Sequence, residues 1–180
     1  MPDQGHVRID GATHEQWDPD DLGKFIGYLP QQIELFPGSI AQNIARFRPD
    51  VASEDIVAAA MAAGVHEFIL RFPAGYATEA EGPASPLTGG LRQRIALART
   101  IFGSPSLVVL DEPNSNLDAE GDEALTRAIA TLRERGAAVV VMAHRPSAIA
   151  AVDKVLMLNE GRVLEFGDKS EVLRKVTRVT

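Results

Sequence analysis

Leu107-Val108-Val109-Leu110-Asp111-Glu112 is the stretch on which the fold turns. Its four apolar residues leave no polar face, the pattern of a strand with helices over both sides of a mostly parallel sheet. The strand ends in two carboxylates, and the carboxyl edge of such a sheet is where α/β folds bind ligands. There an aspartate can hold Mg²⁺, directly or through water, and a neighbouring glutamate can polarise an attacking water. A buried strand that simply ends in a charged turn would read the same way.

Outward from this strand, short apolar runs alternate with helical patterns, as in an α/β chain. Downstream, Ala119–Arg135 carries Ala124, Leu125, Ala128, Ile129 and Leu132 on one helical face, and Gly136 ends it. Ala138–Met142 reads as a second fully buried strand. Val155–Leu158 and Arg162–Phe166 read as a hairpin about Asn159-Glu160-Gly161, and Ser170 caps a last short helix. Upstream, a helix is expected from about Gly90 to Phe102, after a long loop over Pro73–Pro86. Ile40–Ala45, Ser53–Ala63 with Ser53 as N-cap, and Val65–Arg71 read as helical. Phe25–Leu29 reads as a strand, and so does Val7–Asp10, turning at Gly11.

The composition narrows the function. A chain of 180 residues fits one domain with a sizeable core. With 18 basic against 25 acidic side chains the net charge is −7, which argues against nucleic acid as a partner. There is no cysteine, so neither a disulfide nor a thiolate metal site can form. No apolar run approaches the roughly 20 residues a helix needs to cross a bilayer, and the N-terminus does not resemble a signal peptide. His6, His14 and His66 lack metal-ligand spacing and read as surface residues. Trp17 reads as a loop anchor, and Arg92 and Arg94 as facing solvent or neighbouring helices.

A second signal is Leu87-Thr88-Gly89-Gly90-Leu91-Arg92-Gln93-Arg94. Two glycines opening a helix leave backbone N–H groups free to approach a phosphate, and Thr88 adds a hydroxyl. A flexible helix N-cap would account for Gly-Gly alone. In order along the chain come Thr88-Gly89-Gly90, Asp111-Glu112, Ser115-Asn116-Leu117-Asp118 and Ala143-His144-Arg145. That set closely resembles the ABC ATPase family from about Gly5 to Val172. The resemblance implies an α/β, P-loop NTPase-like fold: a parallel-sheet core, residues 1–31 and 88–180, with an inserted helical subdomain at about 32–87. It implies ATP and Mg²⁺ as cofactors. Asp111 looks like the Walker B Mg²⁺ ligand, Glu112 the catalytic carboxylate, and Gln31 the Q-loop glutamine at metal and γ-phosphate. Thr88, Gly89 and Gly90 look like the signature that closes over nucleotide. Asp118 looks like the D-loop aspartate and His144 the switch histidine.

Four stretches are similar to the type I secretion branch, the exporters of proteases and lipases. They are Trp17–Gly23, Ile26–Phe36, Asn43–Phe47 and Asp111–Asp118, the last with Asn114 where most ABC proteins carry threonine. That branch implies a second ABC ATPase domain as partner, a transmembrane domain normally in the same chain, and a periplasmic adaptor with an outer-membrane channel. It also implies a place on the cytoplasmic face of the bacterial inner membrane.

The 180 residues contain no G-x-x-x-x-G-K-[ST]. Gly23-Lys24 is followed by Phe25, and Asp18 stands where the first glycine would be. The expectation is therefore a chain that enters the family pattern after its P-loop and membrane domain and is inactive alone. It would expose apolar edges at Val7–Asp10 or Leu107–Leu110. Leu91 stands where the signature has glutamine and cannot hydrogen-bond. The alternative is a non-catalytic subunit that lends its signature to a P-loop-bearing partner.

Overall fold

In the computed structural model, which describes residues 2–143 and 149–176, the first element is a small hairpin of β1 (Arg8–Ile9) and β2 (Ala12–Thr13). Asp10 and Gly11 form its turn with φ of 47° and 82°, the left-handed pair a two-residue hairpin requires. Next comes α1 (Pro19–Phe25), which the apolar pattern does not announce. Asp18 starts it by accepting the Asp20 and Asp21 amides at 2.9 and 3.1 Å.

β3 (Ile26–Leu29), β4 (Leu107–Asp111) and β5 (Ala138–Met142) form a parallel sheet with β4 in the middle. Leu29 pairs with Leu110 and Leu110 with Val141. Between β3 and β4 the chain makes four α-helices, α2 (Ile40–Ile44), α3 (Ser53–Ala62), α4 (His66–Ile69) and α5 (Gly89–Ile101), with a short 3-10 turn at Gly75–Ala77. α6 (Ala119–Glu134) links β4 to β5, and Ala124, Leu125, Ala128, Ile129 and Leu132 are its buried stripe, as the spacing predicts. β6 (Lys154–Asn159) and β7 (Arg162–Asp168) pair about Glu160 and Gly161, and α7 (Lys169–Val176) follows.

The sheet has two unlike faces. Gly27, Leu29, Val108 and Leu110 are buried, and α5 and α6 cover that side. On the other side Tyr28, Val140 and Met142 are 55%, 49% and 44% exposed. The expectation of helices over both faces therefore holds for one face among the described residues, and β5 is not fully buried. Leu107–Leu110 is not an edge either, because β3 and β5 flank it on both sides.

Local corrections follow from capping. Ala52, not Ser53, occupies the N-cap of α3 and offers no side-chain bond. The last helix begins at Lys169, so Ser170 lies inside it. His66 is not a surface residue: its ring is 16% exposed and its Nδ1 lies 2.9 Å from the Tyr76 hydroxyl. Burial raises the Tyr76 hydroxyl above its ordinary value.

One apolar cluster joins Ile40 and Ile44 of α2, Ala60 of α3, Ile69 of α4, Ile95 of α5 and Leu110 of β4. Arg46 pins the inserted helices to the sheet with one guanidinium. Its Nε donates to the Arg99 carbonyl (2.8 Å), Nη1 to those of Gly23 (2.9 Å) and Ile26 (3.1 Å), and Nη2 to Thr100 (2.7 Å). Burial, with Arg48 and Arg99 nearby, lowers the Arg46 pKa. Burial likewise lowers that of Arg99, whose guanidinium lies 5.2 Å from the Phe36 ring centroid.

Candidate functional site

Parallel pairing sets the geometry, because all three strands end at one edge. Asp111 is the last residue of β4 and pairs with Met142, the last of β5. Gln31 lies two residues beyond Leu29, the last of β3, and is exposed. Glu112 follows Asp111 directly, and its amide donates to the Met142 carbonyl at 2.8 Å. Its φ is 45°, a left-handed conformation that costs a non-glycine residue free energy and collects at functional sites. Asp111 and Glu112 are both half-buried. His144 falls two residues past Met142, outside the described residues.

The glycine pair is built differently. Thr88 is the N-cap of α5, its hydroxyl accepting the Leu91 amide at 3.4 Å. Thr88 and Gly89 are exposed, so the first turn of this 13-residue helix opens at the surface. A Cβ on Gly90 would lie 3.4 Å from the Asn116 carbonyl, so the turn opening α5 runs against the loop that follows Glu112.

Asp118 caps α6. Its carboxylate accepts the Gly121 amide at 2.8 Å and pairs with Arg94 at 2.6 Å. The Gly121 hydrogen bond first, and then Arg94, hold the carboxyl below the usual range.

Gln93 drew no reading of its own from the sequence, and of the two alternatives for Arg94 the structure takes the inward one, against Gly64 and Phe68. Gln93 and Arg94, on the buried stripe of α5, are 2% and 4% exposed. The Gln93 amide donates to the Pro113 carbonyl and accepts from the Asn116 amide at 3.1 Å. Arg92 pairs with Glu81 and so ties the loop before Thr88 to α5. The signal available in the sequence was a polar pair at core positions of an amphipathic helix, since buried polar groups need partners.

The residues present fit one side of a nucleotide–Mg²⁺ site. An aspartate at the sheet edge suits a hard cation that takes oxygen ligands. A hydroxyl and free amides at a helix start suit a phosphate. Among the described residues no helix is long and apolar enough to cross a membrane.

Comparison with known proteins agrees with this architecture. Residues 1–115 match the ABC transporter family. The chain is 61% identical over 175 residues to the type I secretion system ATP-binding protein PrsD of Rhizobium meliloti (strain 1021), covering 97% of this chain and 30% of that protein. It is 38% identical over 175 residues to the mitochondrial potassium channel ATP-binding subunit of Xenopus tropicalis, covering 97% of this chain and 25% of that one. A solved bacterial Atm1-family ABC exporter with ATP bound matches with a TM-score of 0.87 and 32% identity, over 97% of this chain and 31% of that one. The chain thus spans 30% or less of the length of these two curated relatives. On sequence and fold together, it belongs to the ABC transporter family and has the fold of its ATPase domain.

Proposed function

We propose that this chain is ATP-binding and ATP-hydrolysing sequence of an ABC exporter that drives type I protein secretion. The observation that carries the reading is the 61% identity to a type I secretion ATP-binding protein across 97% of the chain. Asp111 holds Mg²⁺, and Gln31 reaches the same metal and the γ-phosphate. Bound Mg²⁺ supplies charge neutralisation on the phosphate oxygens. The Glu112 carboxylate accepts a proton from the attacking water, and His144 holds the γ-phosphate side of the site. Thr88, Gly89 and Gly90 close over the nucleotide of a second ABC ATPase domain, with Asp118 fixing the neighbouring loop.

In this reading residues 32–87 form the helical subdomain, and 1–31 with 88–180 the core. A transmembrane domain docks near Gln31. A periplasmic adaptor and outer-membrane channel complete the path from the cytoplasmic face of a bacterial inner membrane.

Phosphoryl transfer depends on positioning and charge stabilisation, and a P-loop supplies much of both. These residues contain no such loop, so the chain alone turns over ATP no faster than its Glu112→Gln variant. Placed in frame behind a P-loop-bearing ABC segment and a membrane domain, it gains Mg²⁺-dependent turnover and protein export. Glu112→Gln then lowers turnover by about 10²–10⁴-fold, the usual range for a general base. Turnover by the chain alone that vanishes in Glu112→Gln overturns the account of the missing cradle. Turnover without export in the fused protein overturns the secretion reading.

A second reading rests on the Thr88-Gly89-Gly90 turn at the exposed start of α5: a non-catalytic subunit that lends its signature to a P-loop-bearing partner. It predicts that mixing with a P-loop-bearing ATPase domain yields turnover sensitive to Gly90 substitution and indifferent to Glu112→Gln.

A further inference from the structure

Between the two carboxylates and α6 lies a short loop, Pro113–Asp118, and two adjacent buried side chains of α5 tie it to that helix. Gln93 uses both ends of its amide on the loop, donating to the Pro113 carbonyl and accepting the Asn116 amide. Arg94 takes the far end: its Nη2 lies 2.6 Å from the Asp118 carboxylate, with Glu120 at 3.6 Å from Nη1. The same guanidinium donates from Nη1 to the Gly64 carbonyl at 2.9 Å and lies 4.8 Å from the Phe68 ring centroid. Gly64 is itself fixed, with φ of 65° and room for no Cβ, because Ala124 of α6 stands 2.7 Å away. Arg94 therefore joins α5, the start of α6 and the α3–α4 corner. Buried polar groups with all partners in place rigidify their surroundings, and losing one partner strands the others.

We propose that Gln93 and Arg94 are positioning residues. Together they lock Pro113–Asp118 to α5, so that the Thr88–Gly90 turn and the Asp111–Glu112 carboxylates belong to one rigid body. Movement of the α5 start is then transmitted to the carboxylates rather than absorbed by the loop. Its value to catalysis rests on the nucleotide reading above; the mechanical lock does not.

Amide hydrogen exchange on the whole chain tests the lock. Gln93→Met keeps the volume and removes both hydrogen bonds, and Arg94→Met removes the fork. The comparison is Leu132→Ala, a core change far from the loop that lowers overall stability. In both clamp variants the Glu112 and Leu91 amides, neither bonded to the altered side chain, are expected to exchange about tenfold faster than the global loss of stability accounts for. Leu132→Ala speeds them only in step with the rest. Arg94→Lys keeps the charge opposite Asp118 but cannot also reach Gly64 with a planar fork, so it restores protection at Gly121 and not at Leu91. If Gln93→Met or Arg94→Met does not fold, Arg94→Lys alone decides. Exchange at Glu112 and Leu91 that tracks global stability in every folded variant, Arg94→Lys included, overturns the proposal. ATP turnover reports on the nucleotide reading and amide exchange on the lock, so either can fail without the other.

Discussion

The two faces of the β3–β5 sheet carry much the same amino acids and meet different surroundings. On the covered face Val108 and Leu110 are fully buried beneath helices, and Gly27 lets the end of α5 approach the backbone. On the other, Tyr28, Val140 and Met142 remain about half exposed. Apolar character alone therefore does not tell a packed face from an open one. The difference lies in what the helices bring: α5 arrives with Gln93, Arg94 and Thr100 already matched to carbonyls and amides on the strands and loops. Close packing and satisfied polar contacts occur together, on one side of the sheet.

Gly27→Ala should break the contrast most severely. A Cβ there would stand 2.2 Å from the Thr100 carbonyl oxygen, which already accepts from Arg46 at 2.7 Å. Backbone cannot move aside as a flexible side chain does, so α5 or β3 must shift. The expected cost is about 3 kcal/mol, the upper part of the usual range for overpacking. At this chain length that lowers the melting temperature by about 6–12 °C. Gly161→Ala, with φ of 74° and no atom within 4 Å of the added Cβ, bears only the left-handed strain. It should cost about 1 kcal/mol. Equal losses for the two variants, measured by thermal or urea unfolding, would mean that α5 does not press on β3 as described.

Next in size is a matched pair. Val108 and Val140 are the same residue on adjacent strands, 0% and 49% exposed. Val108→Ala removes two methyl groups from a packed interior and leaves a cavity, about 2 kcal/mol. Val140→Ala should cost under about 0.5 kcal/mol, since surface changes away from special features usually do. A cost at Val140 equal to that at Val108 would show that the open face is covered in solution, by a second copy or another segment, and a dependence on protein concentration would identify self-association.

What the sequence discloses follows the range of the interactions. β4, α6 and the β6–β7 hairpin are local patterns, and each appears within a residue or two of its expected place. Asp111 and Glu112 stand out in the sequence because a buried strand ends in them, whereas Gln31 is singled out only by the family resemblance. Arg46 and Arg94 do not stand out, since their guanidinium groups are satisfied across the fold. Arg46 bonds the Arg99 carbonyl 53 residues away, and Arg94 that of Gly64 30 residues away. No spacing rule reaches that far. α1 escaped for a different reason: it is seven residues long, holds Gly23, and buries only Leu22, so it has almost no apolar period. Its opening Asp18-Pro19 was the readable sign, because aspartate caps helices and proline suits the first turn.

The smallest expected effect concerns the polar side of the same contrast. Asp118 is 70% exposed at its side chain while its partner Arg94 is 4% exposed, so an open carboxylate meets a buried cation. The Gly121 amide and then Arg94 lower its folded pKa below the unfolded value, about 3.9 for aspartate. A depressed carboxyl contributes stability that is fully present above that unfolded value and is lost as pH falls through the folded pKa. Asp118→Asn keeps a good N-cap and removes the charge. The variant should be less stable than the parent at pH 7, and the gap should close as the pH falls below the ordinary carboxylate range. Urea midpoints measured from pH 7 down to pH 3 read this directly. A gap that stays constant across that range would mean that the charge on Asp118 accounts for none of the difference. The ion pair with Arg94 would then contribute nothing to holding α6 against α5.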